Sequence, residues 1–145
     1  MSVKRRLLLL SNSTMCGTDY MQWSSQVIAD FLPKDITSLL FIPFAAVSFD
    51  WDQYETKVSS ALKQYTVTAI HKTPDYLKSV ETCEAIVIGG GNSFHLLYKL
   101  QEFNLLDAIR KRVLVDGVPY VGWSAGSNVA APDIGTTNDM PIIWP

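Results

Sequence analysis

The sequence is poor in the residues that bind metals or form cross-links. Its 145 residues include two histidines and two cysteines. Cys16 and Cys83 show no C-x-x-C spacing and no adjoining His/Cys cluster, so both are expected to be free, buried thiols. Charge is also scarce, at 18% against roughly 25% in an average protein. Twelve basic and fourteen acidic side chains leave a net −2 with no basic stripe, which argues against a nucleic-acid partner. Long apolar runs are missing. The longest, residues 39–47, is broken by Pro43, whereas a membrane span needs about 18. Lys4-Arg5-Arg6 before four leucines imitates a signal peptide, but that run is shorter than the usual h-region of about 7–15 and stops at Ser11-Asn12-Ser13. The expectation is a cytoplasmic protein with no membrane partner. Linkers, repeats and low-complexity segments are lacking as well. An apolar content of 48% supports one core, and residues 1–145 read as one domain.

Short apolar runs alternate with helical patterns. Residues 7–10 read as a strand buried on both faces, 38–44 as a second, 66–71 as a third, 85–88 as a fourth and 119–123 as a fifth. Between them, residues 19–32 place Tyr20, Trp23, Val27, Ile28 and Phe31 at helical spacing. Asp50 can cap a helix carrying Trp51, Tyr54, Val58, Leu62 and Tyr65. Pro74 and Asp75 open a helix through Thr82; others start at Ser93 and cover 105–116, with Gly117 as a stop. Residues 125–131 form a last one before Pro132. Five strands alternating with helices predict an α/β domain with a mostly parallel sheet flanked by helices, in a flavodoxin-like order near 3-2-1-4-5.

Two loops concentrate the chemistry. Gly122-Trp123-Ser124-Ala125-Gly126 is a G-x-S-x-G between a strand and a helix, the context that lifts a serine clear of a sheet edge as a nucleophile. Gly122 and Gly126 keep the turn free of side chains, and the helix N-terminus favours developing negative charge. The bland alternative is a serine that merely caps the helix. Gly89-Gly90-Gly91-Asn92 ends the fourth strand and is neither G-x-G-x-x-G nor a P-loop. With strands four and five adjacent, it would lie about 5 Å from the serine, so the N–H groups of Gly91 and Ala125 are expected to form an oxyanion hole. Gly90 and Asn92 are candidate substrate contacts. No metal site or cofactor is expected.

These stretches carry a resemblance. Leu7-Leu8-Leu9-Leu10-Ser11-Asn12-Ser13-Thr14, Phe41-Ile42-Pro43-Phe44-Ala45, Ile88-Gly89-Gly90-Gly91-Asn92-Ser93-Phe94, Gly122-Trp123-Ser124-Ala125-Gly126-Ser127-Asn128 and Thr136-Thr137-Asn138-Asp139-Met140-Pro141 together resemble the peptidase E family of α-aspartyl dipeptidases. The resemblance implies a fold similar to class I glutamine amidotransferases, here its N-terminal portion, and metal-free removal of N-terminal aspartate from Asp-X peptides. It implies Ser124 as the nucleophile, Gly91 and Ala125 as oxyanion donors, and Asp139 as a member of the catalytic set that either orients a histidine or holds substrate. In the family the catalytic histidine follows the T-T-N-D-M-P segment by some twenty residues, which places it past Pro145.

Neither histidine of this chain is an expected substitute. In the expected order His71 ends the third strand, four spacings or roughly 19 Å from Ser124, and reads as a solvated loop residue. His95, in the first turn after the Gly-rich loop, is nearer but of uncertain aim. Trp51 is a candidate pocket wall, whereas Trp123 should pack under the sheet. The chain is therefore expected to be inactive alone. Its implied partner is the C-terminal remainder, as a bound fragment or second chain, or another copy joined along an open sheet edge, with apolar Ile142-Ile143-Trp144 covered by it. Two other functions share these motifs: an α/β-hydrolase esterase, and a non-catalytic module that kept the pocket.

Overall fold

Side-chain alternation along the strands divides the core into two layers. In the computed structural model, which describes residues 4–145, β1 (Leu7–Leu10), β2 (Ser38–Ile42), β3 (Thr66–Ala69), β4 (Ile86–Ile88) and β5 (Tyr120–Trp123) form one parallel sheet. Successive residues point to opposite faces. Leu39, Phe41, Val87, Val121 and Trp123 thus enter one cluster, and Leu40, Ile42, Ile86, Ile88 and Tyr120 the other. Helices α1 (Ser24–Phe31) and α2 (Trp51–Ala61) cover the first face through Ile28, Tyr54 and Val58. Helices α3 (Tyr76–Thr82), α4 (Ser93–Glu102), α5 (Leu106–Leu114) and α6 (Ala125–Asn128) cover the second through Val80, Leu96, Leu100, Ile109 and Ala125. The α/β fold with a parallel sheet is as expected.

Local chemistry sets most of the boundaries. Asp50 accepts from Gln53 N at 2.7 Å, Asp75 from Lys78 N at 2.9 Å and Asn92 from His95 N at 3.0 Å, each satisfying an orphan N–H at a helix start. The expected 19–32 helix is shorter, because Met21 takes φ 57° and holds the preceding residues in turns. The third strand stops at Ala69, since Thr73 N and Oγ1 both donate to Ile70 O and close a 3₁₀ turn over Ile70–Lys72. Cys83 is half-buried as a free thiol, but Cys16 is exposed rather than buried.

The strand order is β1-β5-β4-β2-β3, which corrects the expected 3-2-1-4-5. Among the described residues β1 is an edge strand paired only with β5, and its Leu7 and Leu9 are 38% and 48% exposed, so it is not buried on both faces. Four consecutive leucines look the same at the edge and the centre of a sheet. β2, β4 and β5 hold the centre, with nearly every residue buried. The chain leaves β2 in one direction for β3 and leaves β4 in the other for β5. That reversal opens a crevice at the C-terminal ends of β2 and β4, the usual ligand position in such sheets.

Candidate active site

The Gly-rich loop lies in this crevice. Asn92 N donates to Ala45 O at 2.8 Å, which ties the loop after β4 to the loop after β2. Gly91 has φ 141°, and a Cβ there would strike the Ala45 carbonyl, so only glycine fits without strain. Gly90 lies against the neighbouring elbow: a Cβ built on it would stand 2.9 Å from Ser124 Cβ.

The elbow itself is held from several sides. β5 ends at Trp123, α6 begins at Ala125, and Ser124 between them takes φ 53°, ψ −114°. A non-glycine residue in such a sparse region costs on the order of 1–3 kcal/mol and persists only where its surroundings dictate it. Ser124 N donates to Leu10 O at 3.0 Å, while Ser124 O accepts from Ser127 N at 2.9 Å and Asn128 N at 3.0 Å. The buried Tyr120 hydroxyl donates to Gly126 O at 2.5 Å. Any Cβ on Gly126 would meet the Ile88 carbonyl, so α6 sits directly on β4. The Ser124 side chain makes no capping bond to α6, and the residue is partly exposed. Among the described residues, neither Gly91 N nor Ala125 N donates to a protein acceptor. Gly90 and Ser124 thus lie in contact at the ends of adjacent strands, and each is followed in the chain by a residue with an unengaged N–H, Gly91 and Ala125.

Asp139 reaches the same region by a different route. Its Oδ2 accepts from Ser93 N at 2.7 Å, at the start of α4. Burial opposes its charge, but the Ser93 hydroxyl and N–H and the Thr137 hydroxyl outweigh it and hold the carboxyl below its ordinary range. Asn128 on α6 donates to Ser93 Oγ at 3.0 Å and accepts from Thr136 Oγ1 at 2.9 Å, and Asn92 Nδ2 donates to Met140 O at 2.7 Å. Residues 136–140 are thereby stitched across α4 and α6. Asn92, a candidate substrate contact, is 9% exposed and spends its side chain on His95 N and Met140 O. Ile142 and Trp144 are 54% and 74% exposed, although the Trp144 ring meets Phe94 edge-on at 5.6 Å.

The histidines lie elsewhere. His95 Nδ1 is 2.5 Å from Phe44 O, which draws its ring toward the loop after β2, whereas Ser124 follows β5 on the other side of β4. With the observed order, His71 is three strand spacings from β5, about 14 Å, rather than four. It is not a solvated loop residue, because its side chain is 15% exposed, packs edge-on against Trp51 and bonds Asp52 Oδ1 at 2.8 Å. Trp51 does line a hollow, with Phe49, Asp50, Asp52 and His71. Trp123 packs beneath the sheet, 1% exposed and stacked on Phe41. Among the described residues, no three His, Cys, Asp or Glu side chains gather closely enough to hold a metal ion, and no helix is long and apolar enough to cross a membrane. Sequence reasoning missed Tyr54, Ser93 and Asn128: a tyrosine on an apolar helix face, and polar residues at the start of α4 and the end of α6, carry no pattern that sets them apart.

The chain is 48% identical over 145 residues to a peptidase E from Nostoc sp., covering 99% of this chain and 60% of that protein. It is 42% identical over 147 residues to one from Haemophilus influenzae, covering 97% and 66%. The chain therefore spans about 60% of the length of the curated relatives it matches. A candidate peptidase E from Listeria monocytogenes EGD-e shares the fold, with a TM-score of 0.74 at 22% identity over 94% of this chain and 68% of that one. A peptidase from an acI-B1 actinobacterium superposes with a TM-score of 0.59 at 19% identity over 83% and 54%. The sequence model of peptidase family S51 matches residues 7–145, a span that takes in the Gly-rich loop, the serine elbow and the Asp139 segment alike, and the chain belongs to that family.

Proposed function

We propose that this chain carries the nucleophile and the anion-binding half of a serine dipeptidase that cleaves Asp-X peptides. The observation that carries the reading is Ser124, held at φ 53°, ψ −114° on a strand-to-helix elbow beside the unengaged N–H groups of Gly91 and Ala125. Ser124 Oγ attacks the aspartyl carbonyl, and its proton passes to a base. The carbonyl π electrons move to oxygen, where the two N–H groups receive the charge. Collapse of the intermediate breaks the C–N bond, and the leaving amine takes the proton from the base. Water then releases aspartate from the acyl-serine by the same steps. Neither His71 nor His95 bonds to Ser124; the resemblance to the family implies a histidine base, which we assign to the added length that the relatives possess. Asp139 holds the 136–140 segment on α4 through Ser93 N, and its carboxylate orients that histidine or holds substrate. Gly90, against the Ser124 elbow, takes the substrate side of the loop, and Asn92 holds that loop through His95 N and Met140 O.

The test is kinetic. In a form that includes the length the relatives add, Ser124→Ala should abolish Asp-X hydrolysis and leave a cooperative melt; activity near the wild-type level in that variant sinks the assignment. Residues 1–145 alone should show at most the residual acceleration of about 10³–10⁴ over water that an oxyanion hole and binding can supply. A turnover of about 1–10³ s⁻¹ would mean the base lies within them, with His95 the first residue to replace.

A further inference from the structure

Gly90 O and Gly91 N–H belong to one peptide group. A trans peptide is planar, and its C=O and N–H point in opposite directions. Whatever fixes the direction of the Gly90 carbonyl therefore fixes where the Gly91 N–H points. The loop cannot do this alone, because a peptide between two glycines lacks the Cβ contacts that bar a flip. The Tyr54 hydroxyl supplies the constraint, donating to Gly90 O at 3.0 Å from the opposite side of the sheet. Tyr54 is itself fixed. It is 4% exposed, its ring meets Phe41 edge-on at 4.9 Å, and its oxygen accepts from Trp123 Nε1 at 3.2 Å. Trp123 is the residue before Ser124, so one hydroxyl joins the serine elbow to the Gly-rich loop. Gly89 has no room for a side chain, since a Cβ there would run into the Tyr54 ring.

We propose that Tyr54 is a positioning residue: its hydroxyl locks the Gly90–Gly91 peptide in the orientation that aims the Gly91 N–H at the carbonyl oxygen of a substrate bound at Ser124. This rests on the oxyanion role assigned to Gly91 above. The bond also polarises the peptide, which makes its N–H a better donor. Burial raises the Tyr54 phenol above its ordinary range, against the opposing hydrogen bonds from Trp123 and Tyr20, so it stays protonated and able to donate. Tyr54 touches no reacting atom and acts only through the peptide it holds.

The test separates the clamp from the peptidase reading. The protein is labelled with ¹⁵N-glycine, and the amides of its eight glycines are followed by NMR. Tyr54→Phe keeps the ring but removes the donor. It should shift or broaden the Gly91 amide while Gly17, Gly117 and Gly135 stay in place. Val58→Ala, one turn along α2, disturbs the same core but leaves the hydroxyl and its bond to Gly90, so Gly91 should keep its wild-type position; an equal disturbance in both variants would assign the change to packing and overturn the clamp. An unmoved Gly91 amide in Tyr54→Phe also overturns it. Should Tyr54→Phe not fold, the protein with ¹³C-carbonyl glycine serves: replacing tyrosine by 3-fluorotyrosine, whose phenol is a stronger donor, must shift the Gly90 carbonyl signal, and no shift refutes the bond. In the form that includes the relatives' added length, Tyr54→Phe should lower kcat for an Asp-X dipeptide at least about tenfold with KM within about twofold. A moved Gly91 amide with unchanged kcat keeps the clamp but refutes its catalytic role. A moved amide in a protein that hydrolyses Asp-X without Ser124 refutes the peptidase reading instead.

Discussion

Replacing Ser124 by glycine should stabilise the protein while removing its nucleophile. Ser124 holds φ 53°, ψ −114°, and a Cβ in that region costs on the order of 1–3 kcal/mol. Its hydroxyl caps nothing in α6, so no hydrogen bond within the helix is lost with it. Against the relief stands the extra freedom of glycine in the unfolded chain, about 0.4–1 kcal/mol. The net is a gain of about 1 kcal/mol. With a urea m-value of about 2 kcal/mol/M, the unfolding midpoint should rise by about 0.5 M at unchanged slope. Ser124→Ala keeps the Cβ and its strain, and should stay within about 0.5 kcal/mol of wild type. Ser124→Val adds a second branch at positive φ, close to Gly90, and should lose 1 kcal/mol or more, roughly. The expected order is glycine above serine and alanine together, with valine last, read from urea curves by circular dichroism. A glycine variant less stable than wild type would refute the reasoning, because the elbow would then carry no strain for function to exploit.

Tyr120→Phe should leave the buried Gly126 carbonyl without its partner and cost about 1–3 kcal/mol in the same assay. Gly91→Val should lower turnover about 10²-fold or more in the form that includes the relatives' added length, since it removes an oxyanion donor's geometry and drives a side chain into the Ala45 carbonyl; an unchanged kcat removes Gly91 from the mechanism. Asp139 has a folded pKa held below its unfolded value of about 3.9, so its stabilisation is complete above that value and is lost as pH falls through the folded pKa. Asp139→Asn should therefore weaken the protein at neutral pH yet flatten the acid limb of its stability curve below about pH 4, and parallel limbs in the two proteins would refute this.

What the sequence determined by itself is local. Asp50, Asp75 and Asn92 start helices because a side-chain oxygen within three residues answers an orphan N–H, a relation written into the chain. The Ser124 elbow was legible for the same reason: two glycines, a β-rich run before and a helix after occupy consecutive positions. Its neighbour, the Gly89–Asn92 turn, could also be placed beside it, because strands four and five are adjacent in the expected order and in the observed one. Tertiary structure decided whatever depends on which apolar surfaces are covered. Leu7–Leu10 became an edge only because β5, on one side, is its partner, and the leucine run reads the same either way. His95 faces Phe44 O, Asp139 answers Ser93 N across 46 residues, and Tyr54 reaches Gly90 O across 36. Such contacts join residues that no local period relates. They exist only once the crevice between β2 and β4 has brought the loops together.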